Sequence, residues 1–187
     1  NRFKASEIMK KILAFSGSNY SQSIHHNLIN LAADKVSQHE VNVIHLTDYP
    51  LPIYSQDIEA EGIPDAARQL RQLMMDHDAL IIASPEHNGS MPAFLKNAID
   101  WLSRIAEPGE TFFGHAKKPV LLLSTSPGAN GGATNIKTMA ELMPWWGGDV
   151  KGTYSLGSYY DKVIDGQLSA DTDKELSEVI GSFEAAL

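Results

Sequence analysis

The chain has 187 residues, a formal net charge of −8 and no cysteine. That length suits one domain burying roughly 70% of its unfolded surface. The acidic balance argues against bulk binding to nucleic acid or an anionic membrane, and the missing cysteine excludes disulfides, a thiolate nucleophile and zinc–thiolate sites.

Residues 1–8, NRFKASEI, are unlike the start of a core strand. They read as a cloning remnant or disordered lead, with residues 9–187 as a single domain. Residues 11–16 (KILAFS) read as a buried strand ending in Ser16. The loop 17–23 follows, then a helix with Ile24, Leu28, Leu31, Ala32 and Val36 on one face and Ser21 or Ser23 as its cap. Residues 41–46 are a second strand, the Pro-rich stretch 49–62 is irregular, and 64–76 a helix. Residues 80–83 form strand three. A polar loop, Glu86-His87-Asn88-Gly89-Ser90, leads to Pro92 and a helix with Phe94, Leu95, Ala98, Ile99 and Leu102 at helical spacing.

Residues 108–118 read as a loop exposing Phe112 and Phe113. Strand four, 119–125, is apolar until its end and opens into the glycine-rich loop 126–132. A helix from about 134 to 143, a fifth strand over 149–156 and a last helix over 172–186 complete the chain. No apolar run approaches the ~20 residues of a spanning helix and no signal-peptide pattern opens the sequence, which fits a cytoplasmic protein.

Strands alternating with helices predict an α/β three-layer sandwich with a five-stranded parallel sheet. Near-continuous apolar strands match a sheet covered on both faces. Three loops, after strands one, three and four, then share the carboxyl edge of the sheet, where ligands sit in such folds. The first offers backbone N–H groups and the Ser18, Ser21 and Ser23 hydroxyls, which suit a phosphate or simply a capped helix after a turn. It is neither a Walker A loop nor Gly-x-Gly-x-x-Gly. The third offers Gly128, Gly131 and Gly132, which permit either close backbone approach to a flat ligand or a flexible turn.

Other constellations are weaker. His25, His26, His77, His87 and His115 lack metal-ligand spacing. Val163 and Thr172 occupy calcium-ligand positions of an EF-hand pattern and break it. A Gly-x-Ser-x-Gly nucleophile elbow is absent. Trp145-Trp146 read as core or interface.

In order and spacing the three loops resemble the NADPH-dependent FMN reductases, which include chromate, quinone and azo-dye reductases. The first family motif, Gly-Ser-x-Arg-x-x-Ser-x-Asn-x-x-Leu, stands here as Gly17-Ser18-Asn19-Tyr20-Ser21-Gln22-Ser23-Ile24-His25-His26-Asn27-Leu28. The second appears as Pro85-Glu86-His87-Asn88 with Leu95-Lys96-Asn97-Ala98-Ile99-Asp100-Trp101-Leu102-Ser103-Arg104. The third appears as Lys118-Pro119-Val120, Ser126-Pro127-Gly128 and Gly131-Gly132.

The resemblance implies a flavodoxin-like strand order of 2-1-3-4-5 and FMN as cofactor, with NADPH or NADH as electron donor to a quinone, azo or similar small acceptor. It places the phosphate at Ser18 and Ser23, with Ser16, Tyr20 and His25 as further cofactor-binding positions of the same loop, and the ring against Pro85, Glu86, His87, Asn88, Ser126 and Gly128. Glu86 and His87 are assigned to ring positioning and substrate contact. It also implies a homodimer or tetramer, the helix after the second loop being a dimer face, with neither nucleic acid nor membrane as partner. The alternative is a flavin-binding electron carrier or redox-responsive partner protein without efficient turnover.

Tyr20 replaces the family's arginine, His25 its asparagine and His87 its tyrosine. Losing a bidentate cation weakens phosphate binding. If His25 gains charge as pH falls from about 7.5 to 6, FMN binding should tighten over that range.

Overall fold

Every residue of Leu80-Ile81-Ile82 and its flanking alanines is buried, as a strand covered on both faces requires. The computed structural model describes residues 8–187, so residues 1–7 of the expected lead lie outside the described residues. Five strands, β1 (Lys11–Ser16), β2 (Glu40–His45), β3 (Ala79–Ala83), β4 (Lys118–Thr125) and β5 (Gly148–Leu156), form one parallel sheet. Their spatial order is β2-β1-β3-β4-β5, the order the family resemblance implies.

Helices α1 (Ile24–Ala33), α3 (Asp65–Asp76), α4 (Ala93–Ile105), α5 (Ala133–Trp146) and α7 (Ala170–Ala185) cover the sheet; α2 (Gln56–Ala60) and α6 (Tyr159–Lys162) are short. Strand alternation decides which layer each side chain meets. Ile12 and Ala14 of β1 pack with Leu28 and Ile29 of α1 and Leu176, Ile180 and Phe183 of α7. Leu13 and Phe15 turn the other way, onto Leu70 of α3, Leu95 of α4 and Met139 of α5. Each such fully buried side chain contributes about 1.5–3 kcal/mol of transfer free energy.

The chain runs from β1 outward to β2 and then crosses back to β3, so the topology switches between β1 and β3. The Gly17 N–H donates to Ala83 O across 2.9 Å, tying the two carboxyl ends together at that point. Ligands of open α/β sheets bind at such switch points.

The long motif on α4 also has an architectural use. Asn97 Nδ2 and Trp101 Nε1 both donate to Pro52 O, at 3.0 and 2.7 Å, and Asn97 Oδ1 accepts the Tyr54 N–H at 2.9 Å. Arg104 Nε and the Tyr54 hydroxyl both donate to the Glu59 carboxylate at 2.8 Å. One face of α4 therefore holds the irregular stretch 49–62 against the domain.

Two local expectations change, and a hairpin is added. Phe113 is buried at 1% exposure and Phe112 is half-buried, rather than exposed. The cause is Arg71 of α3, whose Nη1 donates to Thr111 O and Phe112 O and whose Nη2 pairs with Glu110 at 2.6 Å, pulling the loop inward. Helix α5 runs through Pro144 to Trp146, which places Trp146 in the core and leaves Trp145 at 82% exposure. Asp165 and Gly166, both at positive φ, make a two-residue turn joining β6 (Val163–Ile164) to β7 (Gln167–Leu168). Asp-Gly is a favoured hairpin turn pair.

Candidate functional site

Loop 17–23 leaves β1 and starts α1. Its hydroxyl oxygens accept from its own backbone: Ser16 Oγ from the Ser18 N–H, Ser18 Oγ from the Tyr20 N–H and Ser23 Oγ from the His25 N–H, each at 3.1 Å. A hydroxyl that accepts in this way keeps its O–H free to donate. The N–H groups of Asn19, Ser21, Gln22 and Ile24 have no acceptor among the described residues. The first turn of α1 carries no acidic side chain. Amides, hydroxyl donors and the positive end of a helix therefore coincide, which is what a phosphate needs. A Cβ on Gly17 would come within 2.8 Å of Leu95 Cδ2, so a side chain there would have to displace that leucine where this loop meets α4.

Loop 84–92 leaves β3. Pro85 is buried and followed by a tight turn in which His87 N donates to Ser90 O at 2.7 Å and Ser90 N to His87 O at 3.1 Å. Asn88 and Gly89 sit at φ of 54° and 81°, the left-handed pair of a hairpin turn. The backbone alone thus accounts for Asn88, whose side chain is exposed together with that of His87. Beside the turn lies a cavity of about 450 Å³, lined by His87, Asn88, Met91, Lys96 and Leu142 among others.

Glu86 behaves differently from a ring contact. Its Oε1 accepts the Asn135 N–H at 2.6 Å and its Oε2 accepts Asn130 Nδ2 at 3.3 Å. Gly132, at the N-cap of α5, has no side chain to do this, so Glu86 caps the helix from a different loop.

Loop 126–132 leaves β4 and is braced by Ser126, whose hydroxyl donates to Gly128 O and accepts from the Gly131 N–H, both at 2.8 Å. Gly131 and Gly132 have φ of 61° and 74°, and a Cβ on Gly132 would overlap Ser124 Oγ. Gly128 has open space where a Cβ would stand. A flat ligand can approach the backbone there.

Asn135 carries no mark in the sequence beyond being polar on the buried side of its helix. It is fully buried, and its Nδ2 donates to Ser84 Oγ and Pro85 O, both at 3.1 Å, bridging loops two and three. Its Oδ1 has no partner among the described residues.

The expected role of His25 does not survive. The ring is 5% exposed, and its Nε2 accepts the Thr125 N–H at 3.2 Å. Burial pushes its pKa down to about 4, with repulsion from His26 and His87 adding to the effect. His25 is therefore neutral at pH 6 to 7.5 and acts as an acceptor joining α1 to the end of β4. His26, edge-on to His45 with centroids 5.6 Å apart, is likewise lowered, by partial burial and by His45. Tyr20 is 63% exposed and its ring has no hydrogen-bond partner among the described residues.

The fold and the three converging loops define an α/β protein with a carboxyl-edge ligand site of flavodoxin-like topology. The sequence profile of the NADPH-dependent FMN reductase family matches residues 10–160, and the chain belongs to that family. It is 32% identical over 137 residues to an uncharacterized protein of Mycoplasma pneumoniae, covering 72% of this chain and 82% of the relative. It is 36% identical over 125 residues to an NADPH:quinone oxidoreductase of Arabidopsis thaliana, covering 65% of this chain and 61% of that one. An NAD(P)H-dependent FMN reductase of Pseudomonas aeruginosa is 38% identical over 128 residues, 66% of this chain and 63% of the relative. Matches to the last two thus span less than two thirds of those proteins. Among solved structures, FerB, a flavoenzyme NAD(P)H:(acceptor) oxidoreductase of Paracoccus denitrificans, superposes with a TM-score of 0.78 at 25% identity, over 94% of this chain and 95% of FerB.

Proposed function

We propose that the chain is an FMN-dependent oxidoreductase that takes electrons from NADPH or NADH and passes them to a quinone, azo or similar small acceptor. The observation that carries this reading is the loop 17–23: four free backbone N–H groups and serine donors at the start of α1, at the topological switch point. Bound FMN would supply the hydride-accepting and electron-passing chemistry, so no side-chain nucleophile is required.

The chain's own residues bind and orient. Ser18 and Ser23 would hold the phosphate with the loop amides, Ser16 fixing the turn beneath them and Tyr20 offering one phenolic donor. Pro85, His87 and Asn88 would wall the ring on one side, Ser126 and Gly128 on the other. Glu86 and Asn135 act one step back, by fixing where loop two meets α5. The cavity beside His87 would admit nicotinamide and acceptor in turn.

The five-stranded sheet supports reading residues 9–187 as a single flavin-binding domain. Self-association as a homodimer or a dimer of homodimers is carried by the family resemblance, with Ile53 and Trp145, exposed at 74% and 82%, available to such a contact. Among the described residues no helix is long and apolar enough to cross a membrane, and with no cysteine in the chain we place the protein in the cytoplasm.

The reading is tested by loading the purified protein with FMN and adding NADPH or NADH without oxygen. The flavin absorbance should bleach and return on adding a quinone. Flavin that stays oxidised with both donors would remove the reductase reading. Tyr20→Arg should tighten FMN binding about tenfold, the low end for a charge-assisted hydrogen bond at an exposed position. A fluorescence titration giving an unchanged dissociation constant would place Tyr20 outside the phosphate site.

A further inference from the structure

A second cavity, of about 350 Å³, lies at the opposite edge of the sheet, where the strands begin. Lys10, Lys117 and Lys118 border it with Asp78, and Met75 and Pro119 give it an apolar wall. Its size is at the lower end of the ~300–1,000 Å³ of small-molecule sites.

Lys118 is the unusual member. It is 9% exposed, yet it forms no ion pair among the described residues. Its ammonium donates to one acceptor, His77 O at 2.5 Å, and has two further N–H groups. Gly114 leaves it room, since a Cβ there would stand 3.1 Å from Nζ. Leu187 also lines the cavity, and among the lining side chains the carboxylate is Asp78, which accepts the Lys11 N–H at 2.8 Å. His115 on the rim is itself paired with Glu110 at 3.3 Å. Burial pushes the Lys118 amine down, and only the charge of Asp78 opposes it.

A lysine that merely caps α3 through His77 O would sit at the surface with its remaining donors in water. Lys118 is instead buried beside the cavity with one of its three N–H groups satisfied, and two more lysines line the same space. Buried charges are normally paired. We propose that this cavity binds a small organic anion, its carboxylate on Lys118 Nζ and its apolar body against Met75 and Pro119. The site is separate from the flavin edge, so it stands or falls independently of the reductase reading.

The test is an amide ¹H–¹⁵N titration of the full chain with sodium benzoate, at constant ionic strength against sodium chloride. Saturable shifts are expected at Gly114, Ala116 and Lys118. Lys118→Met should weaken binding by about tenfold or more, the scale of one charge-assisted hydrogen bond. Lys174→Gln, on the exposed face of α7, should leave it unchanged. If Lys118→Met does not fold, the double variant Lys10→Gln/Lys117→Gln should weaken benzoate several-fold. Shifts that chloride reproduces, or that persist unchanged in these variants, would overturn the site. Inorganic phosphate binding as tightly as benzoate would overturn its assignment to a carboxylate with an apolar body.

Discussion

Acidification from pH 6.5 to about 4 is expected to strip roughly 3 kcal/mol of stability from the wild-type chain that a His25→Asn variant keeps. The unfolded imidazole takes up its proton near 6.5, whereas the folded one resists until about 4. Between those values the unfolded state binds more protons, so stability falls as pH falls; above 6.5 the contribution is fully present. The interval, at about 1.4 kcal/mol per pH unit, sets the size. Asparagine can still accept the Thr125 N–H, so the variant removes the titration without orphaning the amide. Urea denaturation of both proteins at pH 7, 5 and 4 measures the difference. Parallel losses would mean that the ring titrates as if exposed. The same environment predicts that FMN affinity changes equally in both proteins between pH 7.5 and 6. What change there is comes from the second ionisation of a phosphate, near 6.

How far the sequence could be read is visible in the contrast between His25 and its neighbours. Strands β1, β3 and β4 were legible because their apolar runs are short, continuous and bounded by turn residues. Their order followed from the family resemblance, since periodicity does not say which strands pair. Ser23 was legible as the cap of α1, because a hydroxyl just before an amphipathic helix can accept from its first turn. His25 was not, because its placement depends on β4, a hundred residues away, supplying the Thr125 N–H. The capping contact of Glu86 was hidden for the same reason: α5 begins with glycine and takes its cap from a carboxylate in a different loop. Asn88 needed no distant partner: the Asn-Gly pair already specifies a hairpin turn, and its local signal was outweighed by the motif around it. Phe113 was hidden because burial of loop 108–118 depends on Arg71, a charged residue on a distant helix.

Gly132→Ala is expected to be strongly damaging, costing about 4 kcal/mol and abolishing retention of FMN. Its φ of 74° disfavours any side chain by about 1–2 kcal/mol. The added Cβ would overlap Ser124 Oγ, and overpacking of this kind costs about 1–3 kcal/mol. Relief by moving Ser124 breaks its bond to Ser84 O, 2.7 Å long and buried, at about 1–3 kcal/mol. Ser84 is also held by Asn135 Nδ2, so displacement there spreads to the first turn of α5 and to Pro85. Gly128→Ala isolates the two effects. It meets open space and needs no left-handed backbone, so its melting temperature should match wild type while FMN binding weakens by ring contact alone. Calorimetry of the flavin-free proteins should therefore place Gly132→Ala roughly 10 °C below the other two. If Gly132→Ala melts with wild type, loop 126–132 relaxes without Ser124. The link from β4 through Ser84 to α5 would then not be what holds the three loops in place.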